Sequence, residues 1–140
     1  MSSSSDSDIQ LVRDWVEQVW NQADFAQIAR FHPSVFENEG KFASREAVQQ
    51  WHLQMRTTYP DLQYVIDDIF ATDGQVALRW TANATQQGNL WGLIPPTNKQ
   101  VSWTGMHMLR IEAGQIVQVW AVANTVSVLQ QLGVTLQPPQ

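Results

Sequence analysis

Two short turns in the second half of the chain constrain its fold more than any other feature of the sequence. Asp73-Gly74 and Ala113-Gly114 each separate two long segments rich in β-branched and aromatic residues. An Asp-Gly pair suits the positive backbone angles of a two-residue hairpin turn, and such flanking segments indicate strands. The predicted strands cover 62–72, 75–86, 100–111 and 115–123. We therefore expect two long antiparallel hairpins, joined by a loop at 88–98.

The first third of the chain has helical periodicity instead. Apolar residues recur there at steps of three and four, which predicts a helix from about Asp8 to Trp20. A short second helix is expected to end before Pro33, because a proline disfavours helix at the residue that precedes it. Ser44 is placed to cap a third helix, which should end near Tyr59.

Together these elements predict a single α+β domain. Three N-terminal helices packed against a curved antiparallel sheet make a cone-shaped barrel, with a short helix at its C-terminal end. We expect the domain to span residues 9–134, with a disordered polar tail at 1–8 and a second tail at 135–140. The open end of the cone is where a pocket for a small molecule is expected.

Composition and spacing argue against several kinds of partner and site. The net charge of −5 and the lack of a Lys/Arg cluster disfavour nucleic acid. No apolar run approaches the roughly 20 residues of a membrane span, and the N-terminus does not resemble a secretory signal. There is no cysteine, no glycine-rich phosphate loop, and no metal-ligand spacing among His32, His52 and His107. We therefore expect a cytoplasmic protein that does not bind a membrane, a metal or a cofactor.

Tryptophan is over-represented, with 7 among 140 residues. Each indole buries a large apolar area, and the rings have two interpretations: they fill a core, or they line a cavity. We expect that some of them line a pocket for a hydrophobic small molecule. The candidate pocket residues are Trp20, Trp51, Trp80, Trp91, Trp103 and Trp120.

The second hairpin carries the most informative cluster of side chains. If Ala113-Gly114 is a two-residue turn, counting outward pairs His107 with Trp120 and Trp103 with Asn124. Alternate residues of a strand share a face, so this register places an imidazole beside aromatic rings and an amide. A histidine in such surroundings can act as an acid or a base. The alternative is that His107 is a core residue bonded to a backbone group.

The first hairpin offers a second candidate. The same counting places Asp68 opposite Arg79, which predicts an ion pair across the strands. It places Asp67 opposite Trp80, where contact with an indole would raise the pKa of the carboxyl and suit it for proton transfer. The alternative is that Asp67 faces water, as strand carboxylates usually do.

Short motifs along the chain resemble the SnoaL-like polyketide cyclase group of the nuclear transport factor 2-like superfamily. The motifs are Trp20-Asn21-Gln22-Ala23-Asp24, Tyr59-Pro60-Asp61-Leu62, Gly92-Leu93-Ile94-Pro95-Pro96-Thr97, Gly114-Gln115-Ile116, Trp120 and Gln130-Gln131-Leu132-Gly133. The resemblance implies a cone of sheet and helices, commonly a homodimer through the sheet. It also implies functions that range from aldol cyclases of polyketide esters to hydroxylases, isomerases, dehydratases and proteins without a known reaction.

Two positions depart from the pattern of that group. Asn124 stands where the cyclases have the aspartate that resembles a general acid or base, and Gln86 stands where a histidine is common. One hypothesis is an enzyme in which His107 removes a proton next to a carbonyl while Asn124 or Gln86 stabilises the oxyanion. The second is a binding or carrier protein without chemistry. The third is a scaffold whose sheet serves only to dimerise.

Overall fold

Six strands form one curved, unclosed sheet in the computed structural model, which describes residues 2–135 and 137–139. The helices are α1 (Ser2–Trp15), α2 (Ile28–Phe31), α3 (Arg45–Thr58) and α4 (Thr125–Gln131). The strands are β1 (Val35–Asn38), β2 (Lys41–Ser44), β3 (Gln63–Thr72), β4 (Gln75–Thr85), β5 (Gln100–Glu112) and β6 (Gln115–Ala123). Their order in the sheet is β2-β1-β6-β5-β4-β3. The predicted α+β class and cone-shaped architecture are confirmed.

Both predicted long hairpins are present. β3 and β4 meet at Asp73-Gly74, β5 and β6 meet at Ala113-Gly114, and all four turn residues have positive φ. A third hairpin, β1 with β2, turns at Glu39-Gly40 and was not predicted. Its strands have four residues each, which is too short for alternation to stand out in a sequence. β1 also pairs in parallel with β6, so the small hairpin extends the sheet beyond β6.

The first helix begins earlier than the sequence indicated. α1 starts at Ser2 rather than near Asp8, so the segment predicted as a disordered tail is helical from Ser2 onward. No glycine or proline interrupts this stretch, and serine is tolerated in a helix at modest cost. At its other end α1 continues directly into a π-helical turn, Val16–Asn21, which carries Trp20.

Two polar side chains hold the helices and loops in place on the sheet. The Asn21 amide accepts a hydrogen bond from the Tyr64 N–H (2.7 Å) and donates one to the Tyr64 carbonyl (3.0 Å), so it pairs with β3 as a strand residue would. The Asp61 carboxylate accepts from the backbone N–H and the hydroxyl of Thr85, both at 2.7 Å. These bonds explain why Trp-Asn and Pro-Asp occur in the motifs at these points.

Gly105 allows Trp80 to pack across β5. The two residues are register partners, and a Cβ atom on Gly105 would lie only 2.1 Å from Cζ2 of the Trp80 indole. Any larger residue would displace the ring. The glycine therefore positions the Trp80 indole beside His107, two residues further along β5 on the same face.

Candidate active site

A cavity of about 640 Å³ lies between the helices and the concave face of the sheet. Its volume is in the range of pockets that hold drug-sized ligands. Nearly half of the residues in its wall carry a ring, because α1, α3 and the inner faces of β3, β4 and β5 all contribute aromatic side chains. The aromatic and imidazole side chains of the wall are Trp15, Trp20, His32, Phe36, Trp51, His52, Tyr59, Tyr64, Trp80, Trp91, Trp103 and His107. Five of the six tryptophans proposed from the sequence therefore line one cavity.

His107 is held in one protonation state by its neighbour Trp80. The Trp80 indole Nε1 donates a hydrogen bond to His107 Nδ1 at 2.9 Å. Because an indole N–H can only donate, Nδ1 must be unprotonated, and a neutral imidazole then carries its proton on Nε2. Burial lowers the pKa of His107 to about 4, so the ring is neutral at pH 7.

This arrangement makes His107 a hydrogen-bond donor rather than a proton acceptor. No hydrogen-bond partner for Nε2 is found in the part of the chain that the structure describes, and the side chain lines the cavity. A base would need an unshared lone pair facing the ligand, but the Nδ1 lone pair is occupied by Trp80. The group that His107 offers to a ligand is therefore a neutral N–H, which suits a carbonyl oxygen or an oxyanion.

Two further histidines line the same cavity, although nothing in the sequence connects them with His107. His32 Nδ1 lies 3.0 Å from the Ile116 carbonyl oxygen, and burial lowers the pKa of His32 to about 4. His52 packs edge-on against Trp51, and burial together with the positive charge of Arg56 lowers its pKa to about 3. Both rings are neutral at pH 7. Within the described residues, no group of three His, Cys, Asp or Glu side chains is arranged to hold a metal ion.

Glu39 brings a carboxylate to the cavity wall. Its Oε1 accepts a hydrogen bond from the Ala121 backbone N–H at 2.6 Å, and Ala121 is the register partner of His107. The carboxylate is thus bonded to the backbone of the residue that pairs with His107, and Glu39 itself is exposed. Glu39 and its neighbour Gly40 both have positive φ, which is needed for the tight turn that aims the side chain back toward β6.

A comparison with protein families agrees with the fold and the motifs. A model described as SnoaL-like polyketide cyclase matches residues 10–132. The chain belongs to the SnoaL-like polyketide cyclase family. No helix in the described residues has both the length and the apolar character needed to cross a membrane.

Solved structures of similar shape include three proteins from Streptomyces species. AclR, a proposed hydroxylase from Streptomyces galilaeus, is 31% identical, with 95% of this chain and 89% of that chain covered and a TM-score of 0.79. IdmH, a proposed polyketide cyclase from Streptomyces antibioticus, is 24% identical, with 91% and 99% covered and a TM-score of 0.80. TsrD from Streptomyces laurentii is 21% identical, with 92% and 96% covered and a TM-score of 0.82. No curated protein sequence matches.

In this SnoaL-like protein a β-bulge changes the register that the sequence predicted. The pairing shifts by one residue between Arg110 and Ile111, so His107 lies opposite Ala121 and Trp120 lies opposite Met108. A one-residue shift moves a side chain to the other face of the sheet. Trp120 is therefore 44% exposed on the outer face and does not line the cavity. Its placement beside His107 was wrong.

Asn124 does not face His107. Its backbone N–H donates to the Thr104 carbonyl, and its side-chain oxygen accepts from the Ser127 N–H at 3.2 Å, so it is the N-cap of α4. Asn124 is absent from the wall of the main cavity and contributes to a shallow outer pocket beside Arg79. The sequence placed it on the strand face because the bulge and the end of β6 at Ala123 were not foreseen.

Gln86 is also removed from the ligand by its own hydrogen bonds. Its Nε2 lies 3.0–3.3 Å from the carbonyls of Gly88, Ile94 and Pro95, and its Oε1 accepts from the N–H and the hydroxyl of Thr97. The side chain is fully buried and does not line the cavity. Gln86 thus organises the loop between β4 and β5 instead of binding an oxyanion.

The predicted pair of Asp68 with Arg79 is present, at 2.6 Å on the outer face. A second bulge at Asp67 places Ile66, not Asp67, opposite Trp80. Asp67 instead accepts a hydrogen bond from the Thr81 hydroxyl and lies 3.7 Å from Arg79. It is exposed, and its placement against the indole was wrong.

Several cavity residues were missed, and two of the polar or indole-bearing ones left a signal in the sequence. Trp15 follows Val12 and precedes Val19 at helical spacing, and His52 lies four residues after Val48 in α3. Both positions belong to the apolar faces of their helices. His32 and Glu39 left no such signal, because each lies beside a turn whose direction only the fold determines.

Proposed function

We propose that this SnoaL-like protein binds a hydrophobic, carbonyl-bearing small molecule in the aromatic cavity. The hydrogen bond between Trp80 Nε1 and His107 Nδ1 carries the proposal, because it leaves Nε2–H as the donor for a ligand oxygen. The rings of Trp15, Trp20 and Trp80 surround His107 with apolar contact, and a hydrogen bond is stronger in apolar surroundings. A planar ketone fits both requirements.

Binding calorimetry with a matched pair of ligands tests this proposal. We expect 1-tetralone to bind more tightly than tetralin, which has the same rings without the carbonyl. Replacing His107 by Phe should retain an aromatic ring but remove the donor. The ratio of the affinities for 1-tetralone and tetralin should then fall to about one. A preference of the wild-type protein for tetralin, or an equal affinity for both, would contradict the role of His107.

A second candidate function, an aldol cyclase or isomerase, is favoured by the position of Glu39. In such a reaction a carboxylate removes a proton from the carbon next to the carbonyl, and the negative charge moves to the carbonyl oxygen, where the His107 N–H stabilises it. The enolate carbon can then attack a second carbonyl, and the proton returns to the new alkoxide. Glu39 would thus take the role of the family acid that Asn124 does not supply.

Deuterium exchange distinguishes an enzyme from a carrier. If the cavity promotes enolisation, the protein should accelerate the exchange of the protons next to the carbonyl of 1-tetralone in D₂O, followed by NMR. Glu39→Gln should abolish the acceleration without loss of binding, whereas Glu112→Gln, an exposed carboxylate at the end of β5, should leave it unchanged. Binding without any accelerated exchange would favour the carrier.

A further inference from the structure

Two buried polar atoms, in residues that line the cavity, have no hydrogen-bond partner among the residues that the structure describes. They are the indole Nε1 of Trp15 and the imidazole Nε2 of His32. Both side chains are buried, with 3% and 0% of their surface exposed. An unpaired buried polar group costs about 1–3 kcal/mol. Such groups are rare in native proteins, and each one calls for an explanation.

The two atoms have opposite hydrogen-bonding character. The Trp15 indole N–H is a donor only. In His32 the contact of Nδ1 with the Ile116 carbonyl oxygen, at 3.0 Å, requires a proton on Nδ1. Nε2 of the neutral ring is then an acceptor. The pair therefore consists of one unpaired donor and one unpaired acceptor. A hydroxyl group can bond to both, because it accepts one hydrogen bond and donates another.

The two rings are neighbours in the fold. Trp15 and His32 lie edge to face, with ring centroids 5.6 Å apart, and a hydroxyl oxygen makes hydrogen bonds of roughly 2.7–3.2 Å to each nitrogen. The Trp15 indole also lies edge-on to His107, at 6.1 Å between centroids. The Trp15 indole therefore lies against both His32 and His107.

We propose that Trp15 and His32 form a hydroxyl-binding subsite. A ligand hydroxyl accepts a hydrogen bond from Trp15 Nε1 and donates one to His32 Nε2, while a carbonyl of the same ligand accepts from His107 Nε2. The inference rests on the proposed function and narrows the ligand to hydroxylated carbonyl compounds, such as phenolic or enolic ketones. An ether oxygen can accept from Trp15 but cannot donate to His32.

Calorimetric titration with three ketones tests the subsite. We expect 6-hydroxy-1-tetralone to bind about tenfold more tightly than 6-methoxy-1-tetralone, the equivalent of one net hydrogen bond, with 1-tetralone as the reference. His32→Phe removes the acceptor but retains an aromatic ring, and it should reduce the preference to less than about threefold. Trp15→Phe removes a donor that both the hydroxyl and the methoxy oxygen use, so it should weaken the binding of both compounds relative to 1-tetralone. Trp120→Phe, on the outer face, is the control and should change neither the preference nor the affinities.

The possible failures are distinguishable. Equal affinity for the hydroxy and methoxy compounds, or a preference that survives His32→Phe, would overturn the subsite while the proposed function stands. If none of the three ketones binds, both proposals are wrong.

Histidine-labelled ¹⁵N NMR of the wild-type protein provides a test that does not depend on the variant folding. The hydroxy compound should shift the His32 Nε2 resonance toward that of a hydrogen-bonded acceptor, and the methoxy compound should not. An unchanged His32 resonance with the hydroxy compound bound would overturn the subsite.

Discussion

At the scale of single residues, the chemistry of the cavity depends on three residues in β4 and β5 that act in sequence. Gly105 makes room for the Trp80 indole, Trp80 donates to His107, and His107 is thereby left with a proton on the nitrogen that remains free. None of the three is charged at pH 7. The site is therefore suited to stabilising a developing negative charge, and the carboxylate that can accept a proton comes from a different element.

Gly105→Ala tests the first step of this chain. The added methyl group would lie 2.1 Å from the Trp80 ring, so we expect a loss of stability of about 1–3 kcal/mol from overpacking, together with a displaced indole. Urea unfolding followed by tryptophan fluorescence measures the loss. Thr104→Ala, at the exposed neighbouring position of β5, is the control and should change stability much less. Equal stability of G105A and the wild-type protein would show that Trp80 does not lie against β5.

At the scale of elements, the sequence predicted the helices and long hairpins well but not the irregularities within them. The turns at Asp73-Gly74 and Ala113-Gly114 have a local chemical signature, whereas the bulges near Asp67 and in the β5–β6 hairpin have none. Each bulge shifts the pairing by one residue and exchanges the two faces of the strand beyond it. This is why the tryptophans of β4 and β5 were placed correctly and Trp120 was not.

The long loop between β4 and β5 depends on one buried amide. Replacing Gln86 by Ala would remove its part-buried hydrogen bonds to Gly88, Ile94, Pro95 and Thr97. We expect a loss of roughly 1–3 kcal/mol, since several loop groups lose this partner, and faster proteolysis within 87–98. Gln87→Ala, at the exposed neighbouring position, should change neither quantity. An undisturbed loop in Q86A would contradict this role.

At the scale of the whole molecule, three buried neutral histidines make stability depend on pH. The pKa values of His32, His52 and His107 are lowered to about 4, 3 and 4, below their ordinary value of 6.5. Between about pH 6.5 and pH 4 the unfolded state therefore binds more protons than the folded state, and stability falls as the pH falls through this window. Well above pH 6.5 the three histidines are neutral in both the folded and the unfolded state, so they do not make the stability depend on pH.

Urea unfolding at pH 7.5 and pH 5.0 measures this effect. We expect a loss at pH 5.0 on the order of 2 kcal/mol for each histidine that stays neutral in the folded state. His52→Gln should reduce the difference between the free energies of unfolding at the two pH values by roughly the contribution of one histidine. A stability that does not change between pH 7.5 and 5.0 would show that the rings are protonated in the folded protein.

We propose that the outer face of the sheet joins two copies of the chain as a homodimer. Met106, Met108, Trp120 and Val122 expose apolar surface on adjacent strands β5 and β6, and patches of this kind mark interaction sites. Val122→Asp should convert a dimer to a monomer in size-exclusion chromatography with light scattering. Phe42→Asp, at an exposed position on the edge strand β2, is the matched control. A monomeric wild-type protein would contradict the proposal.

The central claim is that His107 presents a neutral Nε2–H to a ligand oxygen. The most direct measurement is the ¹⁵N NMR spectrum of histidine-labelled protein at pH 7, with and without 1-tetralone. We predict a protonated Nε2 and an unprotonated Nδ1 at His107, with the Nε2 resonance shifted when the ketone binds. A proton on Nδ1, or a His107 resonance that does not respond to bound ketone, would contradict the account.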